Sequence, residues 1–376
     1  MTKKDKIVGL VVTLIVIAVV AIVIIKLPAV EKKPEKTTET QIQTETQPTT
    51  ETTTTQTTTE EPTQTEVTTE KIPDVEYDIQ NSIIIQGDRA MEMYGISEKS
   101  LKSYADIITE LANRCPGTRV YSLIAPTQVE FYGPEDYRTG SRSQRKGIQM
   151  AYDFMSDNVI KVDAWSSLAQ HTDEYLYFRT DHHWTARGAY YAYLAFASSA
   201  GIENPRSLDS YETGIEEGFV GTMYGFTGKA QVLKDNPDYI EYFMPLNNAS
   251  GEILGVGEDG KLNGENRELT IVNPNAGNYA GTFIQGDQAL ERIVTDNKNG
   301  RKILLIKESF GNCFAPFLTE SFEEIYVLDP RKDGVNEMSL PTFIEEMGIT
   351  DVIALNYALA TSNPTIKNSF SKIVSQ

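Results

Sequence analysis

Two short segments of this 376-residue chain hold side chains that together could carry acyl transfer. The first runs Tyr177-Phe178-Arg179-Thr180-Asp181-His182-His183-Trp184-Thr185. The chain has three histidines, and two of them stand here beside an acid. Asp181 and His183 are two apart at a loop-to-helix junction, close enough for the carboxylate to meet one imidazole nitrogen. Such a carboxylate fixes the tautomer and stabilises the imidazolium, as a general base requires. The second segment is the apolar run Ile303–Ile306 with Lys307-Glu308-Ser309-Phe310-Gly311-Asn312 after it. A serine where a strand turns into a helix projects its hydroxyl from the sheet's end. Backbone N–H groups of the next turn, around Gly311, and the Asn312 side chain are candidate donors to an oxyanion. Arg331, just after the apolar run ending at Leu328, could hold substrate at the same edge.

Each feature also has a plainer reading. Thr180 or Asp181 could simply cap the helix beginning near Trp184, Ser309 could cap its own turn, and Arg331 could be a surface arginine. Asp-His-His is also metal-ligand chemistry. Against that, His171 is the only other histidine, and Asp235-Asn236-Pro237-Asp238 is the only other acidic cluster of note, so neither a metal site nor a cofactor is expected.

The elements that must position these residues alternate. Strands are expected at Ser82–Gln86, Arg119–Ala125, Asn158–Val162, Lys302–Lys307, Glu324–Leu328 and Asp351–Asn356. Several are unbroken apolar runs, the pattern of strands covered on both faces. Helical spacing marks Ser97–Asn113, Trp184–Ala200, Cys313–Ser321 and Asn336–Met347. The alternation predicts an α/β fold with a mostly parallel sheet between helices, and sites at the carboxyl ends of its strands. Residues 204–299, rich in Gly, Asn, Asp and aromatics, break the rhythm and read as an irregular, β-leaning insertion or cap.

Ahead of this globular part, residues 77–376, lie two segments of different composition. Residues Ile7–Ile25 are uncharged and almost wholly apolar, long enough at about 1.5 Å per residue to cross most of a bilayer of roughly 30 Å. No small-residue cleavage site follows, so residues 1–27 read as an uncleaved transmembrane anchor. Lys3, Lys4 and Lys6 would stay in the cytoplasm, with the C-terminal bulk outside. From Thr37 to Thr69, 18 of 33 residues are Thr. Such a segment cannot bury enough apolar surface to order itself, and residues 28–76 read as a disordered stalk of a composition that suits O-glycosylation. Of the formal net charge of −19, the globular part carries −15. That field repels nucleic acid and anionic lipid, and it suits a neutral glycan or small molecule. Cys115 and Cys313 make neither a disulfide framework nor a metal pair; whether they bond is open.

The segment Thr180–Gly188 resembles the signature of the DHHW family of bacterial surface proteins, named for Asp181-His182-His183-Trp184. Further blocks match in order: Gly87-Asp88-Arg89-Ala90-Met91-Glu92, Ala125-Pro126-Thr127, Gly221-Thr222-Met223-Tyr224 and Lys307–Asn312. The family is similar to the alginate O-acetyltransferase proteins, whose catalytic domain is SGNH-hydrolase-like with an Asp-x-His-Trp segment ahead of its serine. The resemblance implies an SGNH-like three-layer αβα sandwich in which Asp181 orients, His183 is the base and Ser309 the nucleophile. His182 falls on a variable position of that pattern, and Glu308 stands where such strands typically carry Asp. It further implies an O-acetyltransferase or esterase acting on cell-envelope or secreted polysaccharide, supplied with acetyl groups by a membrane-embedded acyltransferase. Two other readings stand beside it: a catalytically silent glycan-binding scaffold of the same fold, and a metal-dependent hydrolase built on Asp-His-His.

Overall fold

The computed structural model describes residues 76–376. The predicted anchor, and the stalk apart from Glu76, lie outside them. Among the described residues no helix is long and apolar enough to cross a membrane.

A hairpin sheet comes first, of β1 (Tyr77–Gln80), β2 (Ile83–Gln86) and β3 (Arg89–Glu92), all antiparallel. Asn81 and Ser82 join β1 to β2 with positive φ at both positions, the turn geometry whose twist matches paired strands. Next come β4 (Arg119–Ala125) and β5 (Val159–Val162). A two-stranded ribbon of β6 (Thr213–Phe219) and β7 (Asp238–Phe243) follows. After β8 (Ser250–Ile253), β9 (Arg267–Leu269) and β10 (Leu290–Val294), the chain completes its main sheet. The last strands are β11 (Lys302–Lys307), β12 (Glu324–Leu328) and β13 (Asp351–Tyr357).

The main sheet has eight strands in the order β5-β4-β13-β11-β12-β10-β8-β9. The first five are parallel, and β10, β8 and β9 extend the sheet antiparallel. Ile303–Ile306 of β11 are all buried, which is why that run shows no alternation. Helices cover both faces. Tyr121 of β4 packs its ring on Phe196 of helix Ala186–Ser199, while Asn356 of β13 accepts from Tyr104 of helix Glu98–Arg114. Tyr121 pairs with Ile353, three residues from Asn356, so the two contacts lie on opposite faces.

Residues 204–299 supply β6–β10, three of which lengthen the main sheet. One expectation needs correcting. The helix expected at Cys313–Ser321 is only Ala315–Leu318, because Pro316 confines the helix start to its own first turn. Both cysteines are buried and free.

The parallel strands bring their carboxyl ends to one edge. β11 leads there into Glu308-Ser309, β12 into Asp329-Pro330-Arg331, and β4 into Pro126-Thr127-Gln128. β10 runs the opposite way and pairs Leu290 with Leu328, so Asp287, just before β10, stands at that edge too.

Candidate active site

Trp184 joins the two chemical segments. Its ring is fully buried and its indole N–H donates to the Phe310 carbonyl at 2.8 Å, which docks the Asp-His-His loop on the turn after β11. The loop's other side is fixed by Asp238, the first residue of β7. One Asp238 oxygen accepts from the Thr180 N–H at 2.7 Å and the Thr180 hydroxyl at 2.6 Å. Thr180 is therefore not a helix cap. The helix starts at Ala186, and Thr185 caps it by accepting from the Gly188 N–H.

Asp181, His183 and Ser309 meet in line. His183 Nδ1 lies 2.6 Å from Asp181 Oδ1, and His183 Nε2 lies 2.7 Å from Ser309 Oγ. A carboxylate can only accept, so Nδ1 carries the proton and Nε2 accepts from the serine hydroxyl. Asp181 also accepts from the His183 N–H through Oδ1, and through Oδ2 from the Thr222 N–H at 2.8 Å and the Thr222 hydroxyl at 2.9 Å. Burial pushes the Asp181 carboxyl up, but His183, His182 and the Thr222 N–H outweigh it and hold the group well below the usual carboxylate range. Ser309 is half-buried, so its hydroxyl is reachable.

Two rings pack close to that of His183. Tyr279 stacks on one side at 4.1 Å between centroids, and His182 lies at 3.8 Å. The Tyr279 hydroxyl donates to the Ser309 carbonyl at 2.9 Å, so one residue aligns both base and serine. His182 is fixed through Thr222. The Thr222 hydroxyl donates its one proton to Asp181, so His182 Nδ1, 2.6 Å away, must donate to it. Burial, then the neighbouring His183, lowers the His182 pKa; the neutral ring keeps Nε2 as an acceptor.

The turn after Ser309 differs from the simple oxyanion reading. The Phe310 N–H donates to Glu308 Oε2, the Gly311 N–H to the Glu308 carbonyl, and the Asn312 N–H to the Ser309 carbonyl. The Ser309 N–H itself donates to no protein group among the described residues. The Asn312 side chain is also committed, accepting from Lys307 Nζ at 2.6 Å and donating to Asp287 at 3.2 Å. Gly311 is needed for space, since a Cβ there would fall 2.8 Å from Lys307 Cγ. Arg331 is no free surface group: Nε donates to Asp329 at 2.8 Å and Nη2 to Asp287 at 2.7 Å. Glu308 also accepts from the Tyr357 N–H at 2.9 Å, tying β11 to β13. Burial pushes its carboxyl up to about 7 against those backbone donors.

Asp181, His182 and His183 are, among the described residues, a group whose ligand atoms lie within 4.8 Å of one another. Only His182 Nε2 in that group is without a protein partner, so a metal there would have to displace Ser309, Asp181 or Thr222 from their present contacts. That donor set does not fit a resident ion.

The protein-family comparison matches the DHHW protein family over residues 65–328. The chain belongs to the DHHW family. A DHHW family protein from Eubacterium siraeum is 33% identical, over 79% of this chain and 97% of that one, with a TM-score of 0.70. Bacillus cereus PatB1, solved with a sulfonyl adduct, shares the fold: it is 16% identical over 78% of this chain and 99% of its own, with a TM-score of 0.62. The O-acetyltransferase domain of Pseudomonas putida AlgJ is 12% identical over 79% and 99%, with a TM-score of 0.44, too slight a likeness to bear on function. No curated protein matches the chain.

The four residues of the DHHW signature thus have separate roles. His183 faces the serine, Asp181 holds the imidazole from its other nitrogen, Trp184 docks the loop, and His182 turns its free nitrogen away from Thr222. Thr222, Tyr279, Asp238 and Asp287, all within residues 204–299, hold the site; of these only Asp238 stood out in the sequence, and as part of an acidic cluster rather than as a partner of Thr180. For Thr222 a signal existed, since the Gly221–Tyr224 block is one of those shared with the family.

Proposed function

We propose that this DHHW protein is an extracytoplasmic O-acyltransferase or esterase of SGNH-like type that acts on cell-envelope or secreted polysaccharide. The observation that carries the reading is the unbroken line Asp181–His183–Ser309, at 2.6 and 2.7 Å. Ser309 Oγ attacks an acetyl carbonyl as His183 Nε2 takes its proton. The unpartnered Ser309 N–H is the donor for the oxyanion, and the proton on Nε2 passes to the leaving oxygen. A glycan hydroxyl or water then attacks the acetyl-serine, and His183 returns the proton to Ser309. Asp181, held by Thr222, stabilises the imidazolium formed in each half. Arg331 and its carboxylate partners border the same edge and hold substrate.

In this reading the anchor of residues 1–27 and the stalk present the domain outside the membrane. A membrane-embedded acyltransferase supplies acetyl groups, and a polysaccharide is the acceptor. The sulfonyl adduct of PatB1, a protein of the same fold, suggests the probe. A sulfonyl fluoride should label wild-type protein at Ser309, with at least tenfold slower labelling of His183→Ala and none of Ser309→Ala, by intact mass. Labelling of Ser309→Ala at the wild-type rate would sink the reading.

A further inference from the structure

One phenylalanine stands outside the core. Of the chain's 14, Phe226 alone is exposed, at 46%, and it belongs to neither buried apolar cluster. Single exposed apolar side chains are ordinary on protein surfaces, but this one has a particular place. Phe226 ends the short helix Thr222–Phe226, whose first residue holds Asp181 and His182 through its hydroxyl. Residues four apart share one helix face, so Phe226 lies on the face that meets the Asp-His-His loop. Its ring centroid is 6.1 Å from that of His182, which is 3.8 Å from that of His183. Tyr357, half-buried at the end of β13 and stacked on Phe310, is 6.4 Å from His182 as well.

The helix that carries Phe226 is held on two sides. The Phe226 carbonyl accepts from Asn81 Nδ2 at 3.1 Å, at the β1–β2 turn, and the Met223 N–H donates to the Thr180 carbonyl at 2.9 Å. Met223 also packs with Ile83, Ile85, Ala90 and Leu233 in a small apolar cluster. Phe226 is therefore kept in place without burying its own ring, which leaves an open face already positioned. Beside it, His182 Nε2 is an acceptor with no protein partner, because Nδ1–H is spent on Thr222, and the His182 side chain is 17% exposed. An open aromatic face next to an open acceptor suits a sugar ring. Ring C–H bonds turn their slight positive charge to the aromatic face, and a hydroxyl on the rim donates to the imidazole. An alkyl chain would cover Phe226 but leave Nε2 shut away unpaired, at a cost.

We propose that Phe226 is the stacking platform of the acceptor subsite, on which a pyranose ring lies with one hydroxyl donating to His182 Nε2. That the bound sugar is the acceptor rests on the acyl-enzyme reading above; that it binds at Phe226 does not. With Ser309 acetylated, another hydroxyl of the sugar gives its proton to His183 Nε2 as its oxygen bonds to the acetyl carbon. The Ser309 Oγ–acetyl bond then breaks, and the proton passes to Oγ. A linear polyol carries the same hydroxyls without a ring face, and so binds poorly.

The test separates binding from chemistry by using the full chain with Ser309→Ala, titrated calorimetrically with cellotetraose, tetra-N-acetylchitotetraose and sorbitol. At least one tetrasaccharide should bind at least tenfold more tightly than sorbitol. Adding Phe226→Leu, which keeps apolar bulk but removes the aromatic face, should weaken that binding at least tenfold. Phe226→Trp, which keeps the face, should leave it within threefold, an order that a role in packing alone would not produce. Binding of neither tetrasaccharide, sorbitol bound as tightly, or Phe226→Leu within twofold of its parent overturns the proposal. Should Phe226→Leu not fold, the comparison of tetrasaccharides with sorbitol and the Phe226→Trp titration still decide. With Ser309 intact and p-nitrophenyl acetate as donor, Phe226→Leu should also raise the KM for the bound tetrasaccharide at least tenfold. Absence of any Ser309-dependent nitrophenolate burst is a different failure: it removes the acyl-enzyme reading and leaves the calorimetric result standing.

Discussion

Thr222 has the most to do per atom of any residue around the serine. Its N–H and hydroxyl both serve Asp181 Oδ2, and the same hydroxyl oxygen accepts from His182. Thr222→Val keeps the shape and the N–H but removes the hydroxyl. A hydrogen bond to a charged group contributes about 1.5–3 kcal/mol. Since about 1.4 kcal/mol is tenfold in rate, acetyl-ester turnover should fall roughly 10- to 100-fold. The fold should be retained by circular dichroism, and a variant within twofold of wild type would show that the backbone N–H alone suffices to hold Asp181. At this scale the sequence was most readable. Asp181 and His183 stand out by type and by a spacing of two, and Ser309 by its place after an apolar run. His182 was open until Thr222 was seen to fix its ring, and Arg331 until its partners Asp287 and Asp329 were.

At the scale of elements, the loop Thr180–Trp184 and the start of helix Thr222–Phe226 approach so closely that one position admits only glycine. A Cβ on Gly221 would fall 2.7 Å from Asp181 Cγ. The Gly221 backbone, at φ −90° and ψ −165°, is extended and open to any residue, so crowding rather than strain is the constraint. Gly221→Ala must push Asp181 away from His183. Misplacement by about 1 Å can cost a hundredfold in rate. The expected result is sulfonyl labelling slowed at least tenfold with the melting temperature little changed; labelling at the wild-type rate would mean the loop yields elsewhere. Contacts of this kind explain where sequence reading stopped. Thr180 looked like a cap because nothing local reveals Asp238, 58 residues on, which takes both its N–H and its hydroxyl. Residues 204–299 lacked periodicity because their short strands and four- to five-residue helices are set by distant partners, as Tyr279 is by His183 and Ser309. The parallel strands were legible, by contrast, since burial on both faces writes itself as an unbroken apolar run.

For the molecule as a whole, the main sheet carries acids that its interior disfavours in charged form. Glu291 on β10 is 1% exposed, and neither carboxyl oxygen has a partner among the described residues. Burial pushes its pKa up to about 8, with Lys307 opposing, and burial likewise takes Glu308 to about 7. Both values lie above the ordinary 4.5 of an unfolded Glu. Between pH 4.5 and 8 the folded state thus binds more protons than the unfolded one, and stability falls as pH rises through that window. Below it the two groups are protonated in both states and contribute no slope. Glu291→Gln removes the larger share by placing a neutral isostere where the proton must otherwise be kept. With one pKa unit worth about 1.4 kcal/mol, the variant should gain at least about 1 kcal/mol on wild type at pH 9 relative to pH 5. Glu308 is less free to change, because its ionised form accepts from both Phe310 and Tyr357. Urea unfolding of the two proteins at both pH values measures the difference. A gap that does not widen with pH would mean Glu291 ionises in the fold as easily as outside it, and that water or a cation reaches it.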